Sequence, residues 1–224
     1  MDCVTIDKIV RSKRRTLALE IARDASLIIR APKKAPLDLI ETIVLRRRPW
    51  IEKKQAIARQ KLQQATPKKF VHGEGFLYLG DTYRLSIVAH TRPPVSLAQD
   101  FLLSSDHSVN AREAFITWYK KEAYALIKER LDQYSCLAGF RYNRFTTTNA
   151  SRCWGSCTFK GDLRFSWRLI MAPLRVIDYV VVHELVHLEE KSHSRRFWGK
   201  VARLFPAYRE CKTWLKDFGH MLVL

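Results

Sequence analysis

The sequence predicts an α+β fold. A strand-rich N-terminal module with a basic helix or helix pair comes first, and a mainly helical module with a small sheet follows. Three observations predict it. Short alternating apolar runs fill the chain before Pro32 and recur from Phe70 to His90. Basic residues crowd a helical stretch between those two blocks. From Asn110 onward, apolar residues recur at three- and four-residue steps. The 224 residues, 47% hydrophobic and 28% charged, allow one large domain or two small ones and exclude a disordered chain. The change of pattern places the module boundary near 105, giving a strand-rich basic module over 1–105 and a second module over 106–224.

In order, Val4–Val10, Leu17–Ile21 and Leu27–Ile29 read as strands, with a turn at Asp24-Ala25-Ser26. Two prolines, Pro32 and Pro36, close the sheet. Leu37–Gln64 reads as two helices or one kinked helix, with Pro49 opening the second part. Phe76–Leu79 and Tyr83–Val88 form a hairpin across Gly80-Asp81, and Phe101–Leu103 supplies a further strand. A long helix runs from an Asn110 N-cap to a Gly139 C-cap. Arg144–Thr148 and Leu163–Trp167 are strands, with Gly155 and Gly161 between them. Pro173 precedes a helix reaching about Glu190, Ser194 caps another to Leu204, and Pro206 opens the last, which ends near Gly219.

Charge is the unusual feature of the composition. Forty Lys+Arg against 22 Asp+Glu give +18. Residues 1–69 hold 18 basic and 7 acidic side chains, and Ile43–Lys69 holds nine basic residues with one acid, Glu52. Such a field attracts nucleic acid, nucleotides or other anions, although no base-reading motif accompanies it. A solvated basic face accounts for it equally well. Charges fall too early at the N-terminus for a secretory signal and no apolar run has membrane length, so the chain reads as cytoplasmic. Cys3, Cys136, Cys153, Cys157 and Cys211 are an odd, scattered set and read as reduced thiols. Cys153 and Cys157 lack a second ligand pair for a structural zinc and read as small, buried strand or loop residues.

The string that carries chemistry is Val182-His183-Glu184-Leu185-Val186-His187. Histidines four apart on a helix face the same way, so both imidazoles can reach one ion. Glu184 then sits beside a water at the ion and can accept its proton. The apolar, β-branched run Val176–Val182 argues for a buried helix and against two solvated histidines. A third ligand is required, because catalytic zinc takes three protein ligands and keeps a fourth position open. His193 is the leading candidate, with Glu189, Glu190 and Glu210 as rivals. In zinc sites of this kind a glycine makes the turn toward the third ligand, whereas Glu190 stands there in this chain. A second block, Ser151-Arg152-Cys153-Trp154-Gly155-Ser156-Cys157, lies just upstream. Arg152 and Ser156 offer a cation and a hydroxyl for substrate binding, orienting an anionic group or stabilising an oxyanion. The block also reads as a tight structural turn with Trp154 in the core.

These residues resemble the YgjP-like metallopeptidase family of metal-dependent hydrolases. The likeness rests on Arg11–Leu17, Trp50-Ile51, Arg152–Cys157, Trp167–Ile170, Pro173, Ile177–Leu188 and His193-Ser194 with Phe197-Trp198. Cys153 departs from the family pattern, in which Arg runs directly into Trp-Gly-Ser-Cys. The resemblance implies a zincin-like second module, one zinc ion on His183, His187 and His193, and Glu184 as the catalytic glutamate. It extends distantly to SprT-type zinc proteases, which cleave proteins bound to DNA.

Three functions compete at this stage. One is a zinc metallopeptidase. The second is a metal-dependent phosphohydrolase acting on nucleotides. The third is a nucleic-acid-binding zinc protein without turnover. Ligand type favours zinc, while manganese, nickel and iron also accept three imidazoles.

Overall fold

The computed structural model describes residues 5–22, 24–64, 67–151 and 153–224. The chain packs as two compact units, Met1–Thr66 and Pro67–Leu224. No helix among the described residues is long and apolar enough to cross a membrane.

The first unit contains β1 (Lys8–Ser12), β2 (Ala18–Ile21), β3 (Leu27–Pro32), α1 (Leu37–Arg46) and α2 (Arg48–Gln64). Its sheet has the order β1-β3-β2, with β1 parallel and β2 antiparallel to the central strand. Alternation along β3 buries Leu27, Ile29 and Ala31 and leaves Arg30 exposed. Ile40, Val44 and Ile51 close over that face, so this unit has its own core. Arg47 ends α1 with its amide on the carbonyl of Ile43 at 3.0 Å. Pro49 falls in the first turn of α2, where a missing N–H leaves no bond unmade. The expected first strand begins later than Val4, which lies outside the described residues.

The second unit begins with β4 (Gly75–Tyr78), β5 (Asp81–Val88), β6 (Val95–Leu97) and β7 (Phe101–Ser104), arranged β4-β5-β7-β6. The β4–β5 turn residues are Leu79 and Gly80, with φ of 50° and 94°, and Asp81 already belongs to β5. Two consecutive left-handed residues make the hairpin turn that matches strand twist. Gly80 also meets Pro173, which a Cβ would approach to 2.8 Å. Helix α3 (Ala111–Ala138) buries Phe115, Tyr119, Ala123, Ile127 and Leu131 at four-residue spacing and ends on Gly139 in the left-handed conformation.

The sequence reading drew its boundary near 105, but Phe76, Leu85, Phe101 and Leu103 share one core with α3. The rings of Phe76 and Phe115 stack at 4.5 Å. The physical division therefore follows α2 and not the strands over 75–104. The change in periodicity near 105 marks a switch of element type inside a single core.

A third sheet, β8 (Arg144–Thr148), β10 (Asp162–Ser166) and β9 (Gly155–Cys157), has the order β8-β10-β9. The helices α4 (Leu174–Val186), α5 (Arg195–Leu204) and α6 (Tyr208–Phe218) complete the unit. Helix α3 anchors α4 through Arg130, whose Nε and Nη2 donate to the two carboxylate oxygens of Asp178 at 2.5 and 3.0 Å.

Candidate metal centre

Helix α4 is an interior helix. Every residue from Val176 to Val182 is buried, as are Glu184, Leu185 and Val186. The β-branched run supplies that burial, and it carries two polar groups inward on the last turn, His183 and Glu184. His187 is the C-cap residue.

The chain then turns back without glycine. No described residue between Val186 and Ser194 has positive φ. Leu188 and Glu190 donate their amides to Leu185 and Val186 at 3.0 and 2.9 Å. Lys200 of α5 holds the turn by bridging Glu189 at 2.7 Å and Glu190 at 3.0 Å, and Arg196 lies 3.4 Å from Glu190. Ser194 caps α5 by accepting from the amide of Phe197. His193 is delivered between these two anchored points. The expected helix end near Glu190 is corrected to Val186, because the last residues before His193 form this turn.

The three histidines converge. Nε2 of His193 lies 3.0 Å from Nε2 of His183 and 3.2 Å from Nε2 of His187. The three form a group able to hold a metal, their ligand atoms all within 4.8 Å of one another. Nitrogens at about 2.0–2.1 Å from a tetrahedral ion stand about 3.3 Å apart, so the donor set fits one small divalent cation.

The surroundings prepare the same face. The backbone carbonyl of Glu190 accepts from Nδ1 of His187 at 2.9 Å, which leaves the Nε2 lone pair directed to the centre. Nδ1 of His183 is buried with no partner among the described residues. Burial, reinforced by the other histidines, lowers the pKa of His183 to about 3, so its ring is neutral. Burial also lowers that of His187. Neutral imidazole is the form that binds a cation. Buried Phe197 wedges against all three rings, with centroids 4.8, 4.4 and 4.8 Å from His183, His187 and His193. Trp198 stacks on His193 at 5.6 Å and on Tyr208 at 5.3 Å.

Glu184 is 5% exposed, and burial pushes its pKa up to about 8. Strand β9 lies against it. A Cβ on Gly155 would fall 2.6 Å from both Cγ and Oε1 of Glu184. The sequence reading treated Gly155 as a turn residue between two strands. It is instead the first residue of an edge strand paired antiparallel to β10, and the turn is Thr158–Gly161. A glycine inside a strand often marks a close backbone approach, and that was the available signal.

Ser156 is half-buried on β9 opposite Arg164. Strand alternation turns it to the face away from Gly155, so Gly155 and not Ser156 is brought to Glu184. Arg152 lies outside the described residues. Trp154 is half-buried and packs on Gly219, where a Cβ would come within 2.9 Å of its ring.

The described cysteines stand outside the ligand group. Cys153 is exposed, contrary to the expected burial, and its Sγ contacts the Gly155 carbonyl at 2.8 Å. Cys157 is half-buried, 4.0 Å from Nζ of Lys191. Burial raises both thiol pKa values and keeps them protonated. The rival carboxylate ligands are engaged elsewhere: Glu189 and Glu190 with Lys200, and Glu210 with Arg175 at 3.8 Å. Lys200 was not foreseen, because nothing local in sequence ties it to the histidines.

A family model described as YgjP-like, metallopeptidase domain, matches residues 15–218. Among solved structures, the chain is similar to the crystal structure of the metallopeptidase zymogen of Pyrococcus abyssi abylysin. That likeness has 20% identity and a TM-score of 0.37, and covers 40% of this chain and 93% of that one. No curated protein matches the chain.

Proposed function

Because the chain belongs to the YgjP-like family by its metallopeptidase domain over residues 15–218, we propose that it is a zinc-dependent peptidase of zincin-like architecture. In this reading His183, His187 and His193 are the ligands of one zinc ion and Glu184 is the general base. The observation that carries it is the convergence of three Nε2 atoms, at 3.0 and 3.2 Å, on the helix face that also bears Glu184.

A divalent ion on three imidazoles supplies Lewis-acid polarisation and lowers the pKa of a water it holds toward ~7. The chain's own residues do the rest. Glu184 takes the proton of the attacking water and returns it to the leaving amine. Its burial suits it to exchange a proton near neutral pH, and Gly155 leaves the space its carboxylate occupies. Phe197 excludes water from one side of the imidazoles and fixes their spacing. The Glu190 carbonyl holds the His187 tautomer.

Substrate selection is part of the proposal. Strand β9 is the edge of its sheet, so an extended peptide can add to it by main-chain hydrogen bonds and pass beside Glu184. Arg152 and Ser156 remain candidates for contacts along that path.

The test is a substrate screen. Zinc-loaded protein is assayed against a peptide library and against nucleoside triphosphates, with Glu184→Gln as the blank. Glu184-dependent peptide cleavage supports the reading. Glu184-dependent release of phosphate or pyrophosphate without peptide cleavage would replace it with the phosphohydrolase.

A further inference from the structure

The three candidate ligands and Glu184 belong to the second unit, and the densest charge in the chain lies in the first. Residues 1–69 carry 18 basic and 7 acidic side chains. The structure shows where that charge goes. Arg46 and Arg47 at the end of α1, and Lys53, Lys54 and Arg59 on α2, are all exposed, and none forms an ion pair among the described residues. Glu52, the acid in this stretch, is taken by Arg48 at 2.7 Å. Five cations therefore stand uncompensated on two successive helices.

Apolar groups are set among them. Helix α2 buries Ile51 and half-buries Gln55 and Ala58. At about 100° per residue, Trp50, Lys53, Lys54 and Ile57 fall in an arc of about 100°, while Arg59 falls about 180° from Trp50 and outside it. Trp50 and Ile57 are each 39% exposed. Trp50 directly follows Pro49, so it projects from the rigid first turn, between the cations of α1 and those of α2.

We propose that this α1–α2 surface binds single-stranded nucleic acid. Charge complementarity selects a polyanion, because Arg46, Arg47, Lys53 and Lys54 are exposed beside this arc and form no ion pair among the described residues. The exposed indole selects an unpaired strand. A base freed from its stack offers a π-face to Trp50, whereas a duplex hides those faces. An anionic membrane fits less well. Trp50 and Ile57 stand two turns apart on that arc, Leu62 falls about 120° from Trp50, and the exposed Leu37, Leu39 and Leu45 are spread around α1, whereas an interfacial helix needs a continuous apolar face. Contacts of this kind read no particular sequence.

The experiment uses the full-length protein and fluorescence anisotropy with labelled oligo-dT and oligo-U of about 20 nucleotides, a length several such sites can occupy. Binding should weaken with salt, log K against log [salt] having a slope of about −3 for four phosphate contacts at ~0.7 each. Lys53→Gln/Lys54→Gln should reduce that slope by about 1.4 and weaken binding about tenfold at low salt. Trp50→Ala should weaken binding by about tenfold and leave the slope unchanged, because stacking displaces no counterion.

The control is Lys120→Gln/Lys121→Gln, which removes the same charge from exposed positions on α3. It should bind as the wild type does, within about twofold. If the double α2 variant melts early, Lys53→Gln and Lys54→Gln are measured singly, each expected to lower the slope by about 0.7. The proposal is overturned if the α3 control weakens binding as much as the α2 variant. It is equally overturned if a duplex or phosphatidylserine vesicles bind more tightly than the single strands, or if no salt-dependent binding is seen.

Discussion

Gly155 lies flush against Glu184: the hydrogen that stands where a Cβ would be is all that separates the β9 backbone from the carboxylate. A methyl group there would sit 2.6 Å from Oε1 and from Cγ. The edge strand and the last turn of α4 thus set the position of this carboxylate jointly. The two residues are 29 positions apart in sequence.

Gly155→Ala is expected to act on turnover before it acts on metal. Glu184 is buried, so it cannot swing freely into solvent to relieve the clash. The overpacking costs about 1–3 kcal/mol, and displacing a base by even about 1 Å costs on the order of a hundredfold in rate. Peptidase assays beside metal analysis check this. Near-normal turnover with bound metal would show that the contact does not position Glu184.

His193→Ala should lose most of the metal while the protein stays folded, because His193 is exposed and α5 keeps its Ser194 cap. Chelation should lower the melting temperature of wild type, since the ion binds only the folded arrangement, and should leave His193→Ala nearly unmoved. Differential scanning fluorimetry with and without chelator reads both. An equal response to chelator in the two proteins would reassign the third ligand.

Lys200→Met removes the bridge to Glu189 and Glu190 that fixes the turn before His193. The Lys200 side chain is partly exposed and its charge is screened by solvent, so the loss of stability should be small. The effect on the centre should be larger. Partners that orient ligands typically change metal affinity 10–100-fold, and about tenfold weaker binding is expected here. A competition titration against a chromophoric chelator measures it, and unchanged affinity would mean the turn is held without Lys200.

Arg130→Met should destabilise the second unit by about 3–5 kcal/mol, because it leaves Asp178 buried without its guanidinium partner. Burial raises the pKa of Asp178 even with Arg130 present, so the environment already resists the charge. Arg130→Met/Asp178→Leu should therefore recover part of the loss. Denaturant melts of the two single variants and the double give the coupling, and additive costs would contradict a paired role.

The placing of His183 and His187 on one helix face was legible because helical spacing is a local property, and the apolar run before them announced a buried helix. The caps at Gly139 and Ser194 were legible for the same reason. What lay beyond the sequence was tertiary. The β9 strand is three residues long, too short for alternation to register, and its glycine imitated a turn. Lys200 acts across a fold-back that depends on right-handed turns no residue type announces. The unit boundary after α2 was hidden because β4–β7 alternate as β1–β3 do, yet bury their apolar face against α3.

The central claim concerns which atoms surround the metal. X-ray absorption at the zinc edge on the loaded wild-type protein tests it most directly. The account predicts three imidazole nitrogens at about 2.0–2.1 Å with one further oxygen and no sulfur, falling to two imidazoles in His193→Ala. A sulfur shell at about 2.3 Å, which would bring Cys153 or Cys157 into the site, or an unchanged nitrogen count in His193→Ala, would contradict it.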